Sequence, residues 1–162
     1  MSSMIELKHS IRINKSPKAM IGWLSHFTDN YKSWHPDHVS AKWIKGNNFS
    51  EGSILYSEEY LGGQLEKLRF KVTKVIKNER IEYDILFPES IICPKGSFSI
   101  KPCKKGIIFT ATLSFRFGYL LSKLFPRKLK AIKRHMKEEG ENLKKLLEGE
   151  CPKETCEWCE GR

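Results

Sequence analysis

The sequence lacks any long apolar run. No segment approaches the roughly 18 consecutive apolar residues that a membrane-spanning helix needs, which excludes a membrane span of that kind. The first residues, MSSMIELKHS, also lack the apolar core of a secretory signal peptide, so we expect a cytoplasmic protein. Internal repeats and low-complexity segments are absent too, which argues against a solenoid and against a disordered polar chain.

Acidic residues are scarce relative to basic ones. The 19 Asp and Glu stand against 29 Lys and Arg, a formal charge of +10, yet residues 148–162 carry five Glu against Lys153 and Arg162. The body is therefore basic and the tail acidic. We interpret the excess mainly as solvated surface. The alternative is that the basic outer face of the last helix meets phosphates or anionic lipid, but no sequence-reading motif accompanies it, so no specific nucleic-acid partner is expected.

The periodicity of the apolar residues predicts an α+β fold in one domain, residues 4–148, followed by an acidic, cysteine-containing tail, residues 149–162. We expect a helix-grip architecture, in which a curved antiparallel sheet of about six or seven strands wraps around a long C-terminal helix and leaves a cavity between them. The helices are predicted at 17–31 and 126–147, and the strands at 5–13, 39–45, 53–61, 65–77, 80–87, 96–102 and 106–117.

Glu139 interrupts the apolar stripe of the last helix, between Met136 and Leu143. A buried carboxylate is costly unless it is paired, hydrogen-bonded or bound to a metal. His135 lies one turn earlier, and a His and a Glu four residues apart can present two ligands to one ion. The alternative is a Glu139 that bonds a core Tyr or Arg beside a solvated His135.

A second concentration of ligand-type residues is Trp34-His35-Pro36-Asp37-His38, followed by Glu58-Glu59 within a strand. Strand alternation sends only one of the two glutamates inward, and periodicity does not choose between them. Either His35 or His38 is a candidate ligand. The alternative for the first motif is a polar turn with a capping Asp.

The order of elements, together with WHPDH, EEYLGG and RHMKEEGENLKKLL, resembles the START-like helix-grip superfamily over residues 4 to 148. Within it the chain is most similar to the branch related to zinc-dependent diacetylphloroglucinol hydrolase. The resemblance implies a metal site made of His38, Glu59, His135 and Glu139. Zn²⁺ is the ion it implies, and Fe²⁺ or Mn²⁺ also suits such ligands.

The same resemblance implies a hydrolase that cleaves a carbon-carbon bond in an acyl phenol or β-diketone. The expected ligand is a small hydrophobic or aromatic ketone, and a homodimer is compatible with the resemblance. Candidates for protonating the ring or holding a phenol hydroxyl are Tyr56, Tyr60, Tyr83 and His35. The alternative function is a non-catalytic carrier of a small hydrophobic ligand or lipid in the cavity.

Five cysteines in a chain expected to be cytoplasmic are interpreted as reduced thiols. Cys93 and Cys103 lie in or beside strands and are expected to pack as small apolar residues. The other three, Cys151, Cys156 and Cys159, lie together in the tail. They either bind zinc or act in redox chemistry, or they have no specific role, and the spacing leaves these alternatives open.

Overall fold

A computed structural model describes residues 3–149 of the chain. Seven strands form one antiparallel sheet in the order β1-β7-β6-β5-β4-β3-β2, and the long last helix packs against it. The predicted α+β helix-grip fold is thereby confirmed. The strands are β1 (Ile5–Ile13), β2 (His38–Lys45), β3 (Ile54–Leu61), β4 (Gln64–Ile76), β5 (Arg80–Ile85), β6 (Lys95–Cys103) and β7 (Gly106–Phe115).

The single helix predicted after β1 is two helices, α1 (Pro17–Ser25) and α2 (Phe27–Trp34), separated at His26. The side chain of Ser16 caps α1 by accepting a hydrogen bond from the Ala19 amide. Helix α2 ends where His35 becomes extended, because the residue before a proline avoids the helical region. This ending brings the aromatic side chains of α2 and the histidine motif to one end of the sheet.

The prediction for the end of β7 was wrong. The strand stops at Phe115 rather than at 117, and a short helix that the sequence analysis missed, α3 (Gly118–Leu124), precedes α4 (Pro126–Glu148). Phe117 adopts the left-handed conformation, with φ 59°, which breaks the strand. Strand β5 also ends earlier than predicted, and a 3₁₀ turn, Glu89–Ile91, leads on towards β6.

Helix α4 lies close to the first strand. A Cβ on Gly140 would stand 2.6 Å from His9 Cδ2, so glycine allows the helix to approach β1.

Within residues 3–149, no helix combines the length and the apolar character that crossing a bilayer requires.

Burial raises the pKa of the Cys93 thiol to about 12, in keeping with a packed, protonated thiol. Cys151, Cys156 and Cys159 lie outside the described residues.

Candidate metal centre

Four side chains from three elements converge beside the middle of α4. His38 comes from β2, Glu59 from β3, and His135 and Glu139 from successive turns of α4. Their donor atoms all lie within 4.8 Å of one another. All four are largely removed from solvent, and even the most accessible, Glu139, has only 15% of its side chain exposed. These are the four residues that the family resemblance implied.

A β-bulge turns His38 towards the cavity. Ser40 pairs with Glu58 and Ala41 with Ser57, but His38 pairs with Glu59, so the register shifts by one residue between His38 and Ser40. A continuous ladder would place His38 opposite Tyr60, on the outer face of the sheet. Bulges commonly re-aim a side chain beside a functional site.

The same strand pairing decides which glutamate points inward. Leu55, Ser57 and Glu59 form the buried face of β3, whereas Glu58 points outward and accepts a hydrogen bond from the Tyr56 hydroxyl. Glu59 therefore lies directly opposite His38 on the inner face of the sheet. In a directly opposed pair the Cβ atoms are close enough for both side chains to reach one ion.

The spacing of the donor atoms is close to that of a tetrahedral site. Zinc bonds of about 2.0–2.2 Å to nitrogen and oxygen put the ligand atoms about 3.3–3.6 Å apart. In this structure His38 Nε2 and His135 Nε2 lie 3.3 Å apart, and Glu59 Oε2 lies 3.4 and 3.3 Å from them. Glu139 Oε1 lies nearer to the same two nitrogens, at 2.9 and 3.1 Å. The four residues therefore fit a divalent ion in both donor type and separation.

Hydrogen bonding fixes the tautomer of His38. Its Nδ1 lies 2.8 Å from the Tyr31 carbonyl oxygen, which can only accept, so Nδ1 carries the hydrogen. In the neutral ring the lone pair of Nε2 then faces His135 Nε2 and the oxygen of Glu139. Such an arrangement is repulsive unless a cation lies between these atoms, and the cation is either an added proton or a metal ion.

The electrostatics of the metal-free cluster favour charge on all four groups. Burial opposes charge on both imidazoles, but hydrogen bonds to Glu139 and Glu59 raise the pKa of His38 to about 9 and that of His135 to about 10. Burial likewise opposes ionisation of Glu59, yet hydrogen bonds from the two histidines lower its pKa to about 2; the pKa of Glu139 is lowered in the same way. A divalent cation can replace the two imidazolium protons with no change in the total charge of the site.

His35 lies beside the cluster and has both ring nitrogens engaged. Its Nδ1 accepts a hydrogen bond from the Asp37 amide at 3.0 Å, so Nε2 carries the hydrogen and donates to Glu138 at 2.8 Å. Its donor atoms do lie within 4.8 Å of those of His38 and His135. The hydrogen bonds that His35 makes nevertheless favour His38 as the ligand. The bond to Glu138 also links the buried His35 ring to a partly exposed carboxylate.

Tyr31 holds two of the four candidate ligands, and the sequence analysis missed this role. Its carbonyl oxygen accepts from His38, its hydroxyl donates to Glu59 at 3.1 Å, and its ring stacks on the His38 imidazole with centroids 4.0 Å apart. The apolar spacing of α2 marked Tyr31 only as a core residue. Its position seven residues before His38 is the one sequence signal that could have indicated the contact.

We expect Tyr31→Phe to weaken metal binding by about 10- to 100-fold, as is usual when a group that orients a metal ligand is lost. The substitution keeps the stacked ring and the backbone carbonyl and removes only the hydroxyl that holds Glu59. Competition of a chromogenic chelator with the protein for Zn²⁺ measures the change. Tyr56→Phe is the matched control, because that hydroxyl bonds to Glu58 on the outer face. Equal losses in the two variants would contradict this role for Tyr31.

The structure does not bring Tyr56 and Tyr60 to the cluster. Both lie on the outer face of β3, and Tyr60 is 45% exposed, so their assignment as catalytic candidates is corrected: strand alternation turns them away once Glu59 points inward. Tyr83 on β5 is buried and lines the cavity. Burial raises the pKa of its hydroxyl, which therefore stays protonated.

A cavity of about 160 Å³ lies between the sheet and α4. Its walls are mainly apolar and aromatic, and Glu59, His135 and Glu139 form part of them. Ser57, two residues before Glu59 on the same face, also lines the cavity, and its buried hydroxyl has no hydrogen-bond partner among residues 3–149. A buried polar atom of this kind is available to a ligand that can hydrogen-bond to it.

The fold and the cavity together define a helix-grip protein with an internal, mainly apolar cavity. The chain belongs to the family described as polyketide cyclase / dehydrase and lipid transport, whose model matches residues 4–148. This result confirms the superfamily that the sequence indicated. The narrower resemblance to the hydrolase branch stays a prediction. No curated protein matches the chain.

Solved structures show the same fold at low sequence identity. The di-domain ARO/CYC BexL from the BE-7585A biosynthetic pathway aligns with a TM-score of 0.72 at 11% identity, covering 91% of this chain and 51% of that one. Norcoclaurine synthase from Thalictrum flavum aligns with a TM-score of 0.70 at 10% identity, covering 94% of this chain and 91% of that one. Ara h 8.0201 aligns with a TM-score of 0.67 at 15% identity, covering 90% of this chain and 98% of that one.

Proposed function

We propose that this protein is a metal-dependent hydrolase that cleaves a carbon-carbon bond between an acyl group and a phenolic ring, or within a β-diketone. The observation that carries the proposal is the set of four donors at near-tetrahedral spacing, three of which, Glu59, His135 and Glu139, line an apolar cavity. A purely structural ion network would have no need to border a cavity. The family resemblance of the three motifs supports the same reaction class.

The ligand set is compatible with Zn²⁺, and with Fe²⁺ or Mn²⁺, because oxygen ligands are less selective than thiolates. His38 and His135 would supply neutral nitrogens, and Glu59 and Glu139 would balance the charge of a divalent ion. Such an ion supplies Lewis acidity, which polarises a ketone oxygen and makes water more acidic. Tyr31 would keep His38 and Glu59 in position by the contacts described above.

The cavity favours a substrate with one aromatic ring. An apolar cavity of about 150 Å³ is large enough to hold benzene, and the cavity here is of that size and is lined by Phe70 and Phe98. The related fold of norcoclaurine synthase was solved in complex with dopamine and hydroxybenzaldehyde, each of which has a single aromatic ring. The unpartnered Ser57 hydroxyl and the protonated Tyr83 hydroxyl are the polar groups that would orient ring substituents.

The proposed reaction consumes one water. Its oxygen bonds to the carbonyl carbon, the bond from that carbon to the ring breaks, and the electron pair goes to the ring carbon, which takes up a proton. The products are a carboxylic acid and the deacylated phenol. We assign to Tyr83 the role of holding a phenol hydroxyl, since burial raises its pKa and the hydroxyl therefore stays protonated as a hydrogen-bond donor.

Incubation of the Zn²⁺-loaded protein with an acetylphloroglucinol is expected to release acetate in equal amount to the deacylated phenol, measured by chromatography. Glu139→Gln should lower the rate by more than about a hundredfold, because loss of the ion removes several kcal/mol of transition-state stabilisation. Glu138→Gln, the neighbouring carboxylate outside the ligand set, should retain most of the rate. Absence of acetate from the metal-loaded parent protein with this substrate class would defeat the proposal.

A carrier function is the second candidate, favoured by the apolar lining of the cavity and by the words lipid transport in the family description. A carrier would bind the acetylphloroglucinol, or an apolar molecule that co-purifies, without releasing acetate. Its affinity would also be the same in Glu139→Gln as in the parent protein. Calorimetric binding measured beside the acetate assay therefore separates the two functions.

A further inference from the structure

Eight large apolar side chains are exposed in two short segments at one end of the molecule. They are Phe87, Ile91, Ile92, Phe117, Tyr119, Leu120, Leu124 and Phe125, here called the mouth patch. In α3, Leu121 is the single large apolar side chain that is buried. A helix that leaves most of its apolar residues in solvent is unusual in a soluble monomer and marks an interaction surface.

The two segments of the mouth patch adjoin each other and the cavity. The Arg116 amide donates to the Ile92 carbonyl at 2.8 Å, which ties the 87–92 segment to the start of α3. Glu89 and Cys93, from the first segment and its end, line the cavity. Leu121 packs with Phe115, Ile132 and Met136, which line it from the other side. The mouth patch therefore adjoins the cavity through the residues that neighbour it in sequence and in packing.

Basic residues flank the mouth patch. Residues 116–134 contain no acidic residue and seven basic ones, Arg116, Lys123, Arg127, Lys128, Lys130, Lys133 and Arg134. The Lys123 ammonium lies 4.6 Å from the centre of the exposed Tyr119 ring, so a positive charge stands directly beside the apolar surface. Lys128 is partly neutralised by an ion pair with Glu66, and Arg134 by one with Glu138. The other five basic residues are exposed.

This combination of features selects among the classes of partner. A second copy of the chain would bring two basic rims together, and like charges oppose such pairing. A nucleic acid would leave the leucine and phenylalanine side chains of the mouth patch without an apolar surface to pack against. An anionic bilayer meets both requirements, because the apolar side chains enter the acyl boundary while the lysines and arginines remain among the phosphates.

We propose that the mouth patch docks this protein on anionic membrane surfaces, with the 87–92 segment and α3 inserted at the interface and the end of the cavity facing the bilayer. An apolar ligand could then pass between membrane and cavity without crossing water. The docking requires neither the metal centre nor the hydrolase reaction, so it is tested independently of both.

Co-sedimentation of the full chain with phosphatidylcholine vesicles, with and without phosphatidylglycerol, tests the proposal at physiological salt. Binding is expected only to the vesicles that contain phosphatidylglycerol. Leu120→Glu should weaken it by at least about tenfold, since it removes a large apolar side chain from the interface and adds a repelled charge. Ile44→Glu is the matched control: Ile44 is 50% exposed, close to the 52% of Leu120, but lies on β2 outside the mouth patch. Circular dichroism confirms that both variants fold.

Three results would overturn the proposal. The first is failure of the full chain to bind phosphatidylglycerol vesicles, even if a chain shortened to end at residue 149 does bind them. The second is an equal loss of binding in Leu120→Glu and Ile44→Glu. The third is a parent dimer that Leu120→Glu converts to a monomer in analytical ultracentrifugation, which would assign the mouth patch to contact between copies of the chain.

Discussion

Purified without chelators, the protein is expected to carry about one divalent ion per chain, and His135→Ala should reduce this to background. The substitution removes one of two nitrogen donors and leaves Glu59 and Glu139 facing each other across an incomplete site. His38→Ala should have the same effect, because the Tyr31 carbonyl orients the Nε2 lone pair of His38 into the cluster. Elemental analysis by mass spectrometry measures the ratio of metal to protein.

The chain supplies a matched control for three of the four ligands. Glu58→Gln is the control for Glu59→Gln on the same strand, and Glu138→Gln is the control for Glu139→Gln on the same helix. His35→Ala is the control for the nearby His38→Ala. The three control residues point outward or have their hydrogen bonds satisfied elsewhere, so the metal content of these variants should stay near that of the parent. A folded parent protein that contains no metal would refute the metal centre. Loss of metal in His35→Ala alone would move the ligand role from His38 to His35.

The second large effect concerns stability without metal. In the chelator-treated protein, His38→Leu is expected to lower the free energy of unfolding by about 3–5 kcal/mol, because it leaves buried carboxylates short of a positive partner. Replacing the whole cluster by apolar residues of similar size should instead be neutral or stabilising by about 1–4 kcal/mol. The fourfold variant is His38→Leu with Glu59→Met, His135→Leu and Glu139→Met. Urea unfolding followed by tryptophan fluorescence measures both changes.

This contrast tests why the charges are present. If they serve a metal site, added Zn²⁺ stabilises the parent, whereas the fourfold variant binds no ion and gains nothing from it. A structural ion network predicts instead that added Zn²⁺ changes the stability of neither protein. Three of the four groups are buried and Glu139 has only 15% of its side chain exposed, so few water molecules screen them and the loss in His38→Leu is large enough to resolve.

The sequence predicted most of the fold because its elements follow clean periodicities. Strict alternation marks β1 and β7, and the apolar stripe of α4 shows which face of the helix meets the sheet. The same stripe showed that Glu139 is a polar residue in an apolar position, and that His135 lies one turn away. The helical half of the site was therefore visible from local pattern alone.

The remaining half depended on tertiary features that no local pattern records. The bulge between His38 and Ser40 sets the inward direction of His38, and it arises from pairing with β3 rather than from the residues of β2 alone. The choice between Glu58 and Glu59 follows from the same pairing. Helix α3 was missed because Phe117 breaks the alternation with a left-handed conformation that bulky residues seldom adopt.

The burial of the cluster beneath α4 has a kinetic consequence. His38 and Glu59 lie on the sheet while His135 and Glu139 lie on the helix, and the Trp34 indole nitrogen bonds to the Glu139 carbonyl and so joins α2 to α4. An ion held between these layers would join the sheet to the helix, so lifting α4 from the sheet would break its bonds to His135 and Glu139. An occupied site should therefore slow hydrogen-deuterium exchange along that helix more than elsewhere.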